Sequence, residues 1–338
     1  MRTQRRQWMA TCVGLLAIFA AGTASGETIE LRFSAFIPAR HVQMEEVIIP
    51  WVGDIERLSG GGVKISIHPG AELGPAPAQY DMVLRGDADL AFGLPAYTPD
   101  RFPLSSVFEL PFLVRNAESG SIVLWEIYKN YLRDEFNDVK VLWMFVHSPG
   151  QLISKRPVRS LEDLQGMKIR SPGAIMSGVI ERFGAIPVNV PINKAYEALA
   201  SGDADAIVTP WEALVPFRFY EQCKFATILD LYAMPFFVIM NRAKYDALPP
   251  DLKKIFDENS GDMMSARAGE AFDRGEIAGK NLFLQNGGEI IELSPDERKR
   301  WERIALAAGD RWAEETSARG LPGVEVLEAT TRMLLQIR

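Results

Sequence analysis

Met167-Lys-Ile-Arg170 is a short apolar stretch that ends in a base, and the residues that follow it decide the fold. Ser171-Pro-Gly173 turns the chain, and Ala174 to Phe183 carries apolar residues at helical spacing. Pro187 to Val190 then reads as a strand, Lys194 to Leu199 as a helix, and Ala206 to Val208 as a strand again. Strands alternating with helices predict a parallel-type α/β layer covered on both faces. Just upstream, Ser160-Leu-Glu-Asp163 has the spacing of a capping box opening a short helix.

The first half of the chain repeats this grammar. Thr28 to Phe33 alternates as a half-buried strand does, Val42 to Leu58 has helical spacing, and Gly60-Gly-Gly62 turns into a second strand, Val63 to Ile67. Pro75 to Leu84 predicts a helix closed by Gly86, followed by the strand Leu90-Ala-Phe92. Both halves contain the tetrapeptide Gly-Asp-Ala-Asp, at 86 to 89 and at 202 to 205, each time between a helix and an apolar strand. Two lobes of similar build are expected. From Asp251 to Gln285 the spacing is helical, a length of about 50 Å at about 1.5 Å per residue, enough to lie across both lobes. Gly261, Gly269, Gly275 and Gly279 weaken that stretch and mark where it could break. Ser294-Pro-Asp-Glu297 starts another helix, leading Trp301 to Glu315, and Val324 to Ile337 predicts a last one.

A chain of 338 residues with 47% apolar side chains can build two cores. Its net charge of −7, more acidic still without Arg2, Arg5 and Arg6, disfavours nucleic acid as a partner. Those three arginines precede an apolar run from Met9 to Ala21 and the small residues Ala24 and Gly26, the pattern of a cleaved export leader over residues 1–26. Arg5-Arg6 also resembles a twin-arginine signal. No later run is long and apolar enough to span a bilayer, so no membrane insertion of the mature chain is expected; the best, Phe236 to Met240, has the length of a strand. Cys12 falls in the leader, which leaves Cys223 without an internal partner and reading as a small buried apolar side chain. His41, His68 and His147 stand far apart with no metal-binding spacing, so neither a metal nor a cofactor is expected.

No nucleophile elbow, phosphate loop or dinucleotide fingerprint occurs, and no catalytic residues are assigned. Asp87 with Asp89, and Asp203 with Asp205, sit at turns before strands, where acids end helices far more often than they do chemistry. Arg170 stands apart. Carboxyl ends of strands in an α/β layer face the ligand crevice, and a planar guanidinium there suits a carboxylate held by two parallel hydrogen bonds. Trp211, after Thr209-Pro210 at the end of another strand, is expected beside it. Phe36 and Tyr97 follow first-lobe strands and are candidate apolar walls, although each aromatic could equally belong to a core.

At these residues the chain resembles the DctP-type solute-binding proteins of TRAP transporters. The resemblance is carried by Gly70-Ala-Glu-Leu-Gly74, Gly86-Asp-Ala-Asp-Leu-Ala-Phe92, Ser160 through Pro172, Gly184-Ala-Ile-Pro-Val188, Tyr196-Glu-Ala-Leu199 and Val238-Ile-Met-Asn-Arg242. It implies a periplasmic binding protein of type II, two-lobed and α/β, each lobe a sheet flanked by helices, with crossing strands and a long spanning helix. Lobe I would comprise 27–147 with 238–262, and lobe II 148–237 with 263–338, the long helix at about 251–285 crossing both. It implies Arg170 as the carboxylate-binding arginine; ligand neighbours are expected at Phe36, Tyr97, Gln151, Leu152, Thr209, Trp211 and Phe236. Where many relatives carry a second arginine in a Gly-x-Arg segment, this chain reads Gly150-Gln151-Leu152, and Leu152 cannot bind a second carboxylate. Pro210-Trp-Glu212 and Tyr97-Thr-Pro99 resemble a branch taking monocarboxylates, including 2-oxo and aromatic acids. The expectation is a periplasmic receptor that captures an organic monocarboxylate and passes it to TRAP membrane permease subunits. A C4-dicarboxylate receptor, an exported enzyme and a sensor subunit on the same fold are the alternatives.

Overall fold

The structure, a computed structural model, describes residues 28–98 and 100–337, so the leader reading lies outside the described residues. Two sheets form, one in each half of the chain. The first takes β1 (Ile29–Ala35), β2 (Val63–His68), β3 (Leu90–Gly93), β4 (Val139–Val146) and, from later in the chain, Pro235–Asn241. The second takes β5 (Gln151–Ser154), β6 (Lys168–Ser171), β7 (Ile186–Asn189), β8 (Ala206–Thr209), β9 (Phe225–Thr227) and β11 (Glu289–Ile291), with Pro235–Asn241 numbered β10 between the last two. The orders are β2-β1-β3-β10-β4 and β11-β9-β5-β8-β6-β7.

The expected parallel layers are present as β2-β1-β3 and β8-β6-β7, but each sheet is mixed. β10 runs antiparallel to β3 and β4, and β5 antiparallel to β8 and β9. The cause is the double crossing. The chain leaves the first sheet after β4, enters the second as β5, and comes back to the first as β10, so each lobe receives a strand of reversed sense. The two crossing segments bind one another: Gly150 N donates to Tyr232 O (2.8 Å) and Leu231 N to Gly150 O (2.9 Å). Such paired, short connectors are where hinge rotation is absorbed.

Helices cover the sheets as the spacing predicts. A π-helical turn, Gln43–Ile48, runs into the helix Ile49–Leu58, whose Trp51 packs edge-on to Phe33 and Trp143. Each such ring taken wholly out of water stabilises the core by roughly 1.5–3 kcal/mol. Ser160 and Asp163 do form the capping box, over a single 3-10 turn at Leu161–Leu164. The long helical stretch breaks once: Pro250–Glu258 is separate from Asp262–Gln285, and Gly261 between them takes φ +68° while its N–H is tied to Leu142 O (2.7 Å).

Asp262–Gln285 is the spanning element. It packs on the helix Ala117–Ile127 and β4 of the first lobe and on the short helix Leu214–Phe217 of the second. Its glycines are docking points. A Cβ at Gly269 would stand 2.5 Å from Ala117 O, and one at Gly279 would stand 1.9 Å from Trp211 O. The last helix, Gly323–Gln336, expected with the second lobe, packs instead on Ala117–Ile127 of the first, burying Val326 and Ala329. No helix among the described residues is long and apolar enough to cross a membrane.

Candidate ligand site between the lobes

A cavity of about 50 Å³ lies between the lobes, walled mostly by apolar groups. Five of the eight residues expected at the site line it: Phe36, Tyr97, Arg170, Thr209 and Phe236. Arg170 sits in β6 opposite Val188 on one side and Ile207 on the other, and only 2% of it is exposed. Its Nε donates to Val190 O (2.9 Å) and its Nη2 to Tyr97 Oη (3.2 Å). Tyr97 Oη also accepts from Ile192 N (2.9 Å), so this first-lobe hydroxyl receives two second-lobe donors and keeps its own proton to give. Phe36 packs edge-on to Tyr97 and against Phe92, and Phe236 stacks on Phe145.

The other three expected residues face elsewhere. Trp211 packs on Phe283 beneath the spanning helix, with its carbonyl against Gly279. Leu152 is buried in the core, opposite Val208 and Thr227. Gln151 is absorbed in the crossing region: its Nε2 donates to Pro149 O and Asp230 Oδ1, and its Oε1 accepts from Leu229 N. The physical reason is strand phase. The position one residue along a strand points to the opposite face, and a residue leaving a strand end has no phase at all until the loop is placed.

The structure adds groups that the sequence reading did not place in the site. His147 lines the cavity with Nδ1 2.6 Å from Ser148 O, so that nitrogen carries the proton and Nε2 is an acceptor. Burial first, and the charge of Arg170 further, push this ring down to about 4. His41 is its counterpart. Gln43 N donates to His41 Nδ1 (3.2 Å), so Nε2 carries the proton, and burial pushes the ring down to about 3. Both rings are neutral. Glu212, 6% exposed, also lines the cavity; burial, and then the charge of Glu276, push its carboxyl well up. Tyr232 and Met234, from the returning crossing segment, complete the wall. Their signal in the sequence was weak, because His41 and His147 are separated by more than a hundred residues and only the pairing of distant strands within the first sheet brings β1 and β4 to one end of that lobe.

Arg170 is the one Arg or Lys among the described residues lining the cavity, and no carboxylate of those residues lies within ion-pair distance of it. Cys223 is buried and its thiol pushed up to about 12, an inert core group. Among the described residues no cluster of three or more His, Cys, Asp or Glu could hold a metal ion.

Comparison with known proteins agrees with this architecture. Residues 33–315 match the family of bacterial extracellular solute-binding proteins, family 7, known as DctP. A TRAP solute-binding protein from Rhodoferax ferrireducens, in complex with copurified benzoate, is 32% identical with TM-score 0.88, over 91% of this chain and 98% of that one. A marine-metagenome TRAP solute-binding protein specific for aromatic acid ligands, in complex with 3-hydroxybenzoate, is 32% identical with TM-score 0.89, over 92% of this chain and 99% of that one. A TRAP periplasmic solute-binding protein from Bordetella bronchiseptica, with (R)- and (S)-mandelate bound, is 29% identical with TM-score 0.85, over 92% and 100%. With two crossing segments, a spanning helix and a buried arginine between its lobes, the chain belongs to the DctP family, the periplasmic solute-binding receptors of TRAP transporters.

Proposed function

We propose that this receptor captures an organic monocarboxylate with an aromatic or branched apolar body, closes on it, and hands it unchanged to TRAP membrane permease subunits. The observation that carries the reading is the guanidinium of Arg170. It is buried, two of its five N–H groups are taken by neutral oxygens, and the described residues offer it no carboxylate. A bound carboxylate supplies the missing countercharge through two parallel charge-assisted hydrogen bonds, with the Tyr97 hydroxyl able to donate a third. Phe36, Phe236 and Met234 favour an apolar body at about 25 cal/mol per Å² buried. A second carboxylate would find no cation and would be buried unpaired, which argues for a monoacid over a C4-dicarboxylate. Because Tyr97 belongs to one lobe and Arg170 to the other, a carboxylate touching both favours the closed state by its differential affinity.

Titration calorimetry with benzoate, mandelate, a branched 2-oxo acid and succinate tests the proposal, with mass spectrometry of each ligand after long incubation. Ring-bearing and branched monoacids should bind and be recovered intact, and succinate should bind at least about a hundredfold more weakly. Succinate binding as tightly as benzoate would overturn the monoacid reading; a chemically altered ligand would overturn the transport reading in favour of an enzyme.

A further inference from the structure

We infer that His41 and Glu212 together read a hydroxyl group on the bound acid, so that the receptor selects hydroxylated monocarboxylates over their unsubstituted parents. This deepens the receptor reading above and rests on it. Glu212 Oε2 is buried, lines the cavity wall through its residue, and has no hydrogen-bond partner. A buried acceptor left unmet costs about 1–3 kcal/mol, so a site that keeps one is built for a donor that arrives from outside. Facing it is His41, whose Nε2 carries the proton because Nδ1 is met by Gln43 N. His41 Nε2 and Glu212 Oε2 are 3.7 Å apart, too far for a hydrogen bond between them. An oxygen seated to one side of that gap can reach both at about 2.8 Å. It must accept from His41 and donate toward Glu212, and a hydroxyl does both. A methyl or a halogen does neither well, and a second carboxylate has no proton to give.

The pair is held in place. Glu212 N donates to Glu276 Oε1 (2.9 Å) on the spanning helix, and the adjoining Trp211 carbonyl is seated against Gly279. The His41 ring packs edge-on to Phe217 and Phe272. Arg170 is tied to Val190 O and Tyr97 Oη, whereas the His41 ring packs on Phe217 and Phe272, so the pair is placed to meet a part of the ligand other than its carboxylate. Burial keeps the carboxyl of Glu212 neutral, so it does not repel the anion as it enters; its proton is placed on Oε1, the oxygen that is not orphaned, which leaves Oε2 as the acceptor for the ligand hydroxyl. His41 follows β1 in the first lobe and Glu212 follows β8 in the second. The hydroxyl contact therefore forms only on closure and adds to the closing drive.

The test is a ratio of affinities measured within each protein. Benzoate is compared with 3- and 4-hydroxybenzoate, and phenylacetate with mandelate, in the wild type and in Glu212→Met, Glu212→Gln and Arg170→Ala. At least one hydroxylated acid should bind the wild type about tenfold or more tightly than its parent. The ratio should fall toward one in Glu212→Met and largely survive in Glu212→Gln, which retains an acceptor oxygen. Arg170→Ala should weaken parent and hydroxylated acid alike. Arg170-dependent benzoate binding with no hydroxyl preference in the wild type overturns this inference alone, as does a preference that persists in Glu212→Met. Failure of the wild type to bind any of these acids overturns the receptor reading and this inference with it.

Discussion

In the first lobe, Gly86 closes a helix in the left-handed conformation, and Asp89 three residues later accepts Arg32 N (2.8 Å) while its own N–H donates to Arg32 O (2.9 Å). In the second lobe, Gly202 closes a helix in the same conformation, and Asp205 accepts Lys168 N (2.9 Å) while donating to Lys168 O (2.7 Å). The repeated Gly-Asp-Ala-Asp is thus one device used twice: it stops a helix and pins the start of the next strand to its neighbour. Beyond the device the lobes diverge. The first-lobe strands lead to Phe36, His41 and Tyr97, an aromatic and neutral set; the second-lobe strands carry or lead to Arg170, Thr209 and Glu212, a charged and polar set. Equivalent scaffolds carry unlike tips, and the ligand is what they share.

The sharpest way to break this comparison is to remove the charge from one side. Arg170→Ala should cost about 3 to 5 kcal/mol of binding, two to four decades of affinity for a ring-bearing monoacid by calorimetry. Arg170→Lys should not restore it, since an ammonium lacks the planar fork. Binding unchanged in the alanine variant would refute the division of labour between the lobes.

The repeated device can be weighed one lobe at a time. Asp89 is nearly buried, with Arg32 and Lys244 beside it, whereas Asp205 is half-buried. Asp89→Ala should lower unfolding free energy by about 2 kcal/mol and Asp205→Ala by about 1 kcal/mol in urea melts, neither altering the order of ligand preference. Equal losses would mean that burial does not set the strength of the pin.

The smallest effect is a pH slope. Burial pushes Glu109 and Glu276 up to about 8, and Glu212 is pushed well up. His41 and His147, held down at about 3 and about 4, are neutral in folded and unfolded chains alike once the pH exceeds the ordinary histidine value of 6.5. Above that point the unfolded chain has already lost these carboxyl protons, whose ordinary value is 4.5, while the folded chain keeps them. The folded state binds more protons, so stability falls as pH rises from 6.5 toward 8. Glu109→Gln should flatten that decline by under about 1 kcal/mol per pH unit in thermal melts. A steeper decline in the variant would contradict the burial argument for this first-lobe acid.

Much of the fold is legible in short-range pattern. Apolar spacing places β1, β2, β3, β6, β7 and β8 within a residue or two, and Gly86, Gly202 and Ser160 mark helix ends through local backbone geometry. β4, β5 and β10 were harder to read. No spacing placed β4 or β5, only the strand-length run Phe236 to Met240 pointed to β10, and the reversed sense of β5 and β10 comes from the crossing between lobes. The four glycines that weaken the long helix on propensity show the same limit. Gly261 does break it, but Gly269 and Gly279 lie inside an unbroken helix because other backbone needs their space.

From its sequence alone this protein declares two α/β lobes, the repeated Gly-Asp-Ala-Asp helix stop, and one arginine at the carboxyl end of a strand, since each of these follows from neighbours a few positions apart. The tertiary structure alone decided that Trp211, Leu152 and Gln151 turn into core or connector, and that His41, His147 and Glu212 turn into the cavity. Side-chain direction past a strand end is set by what the other lobe and the spanning helix leave open, and no local periodicity carries that information.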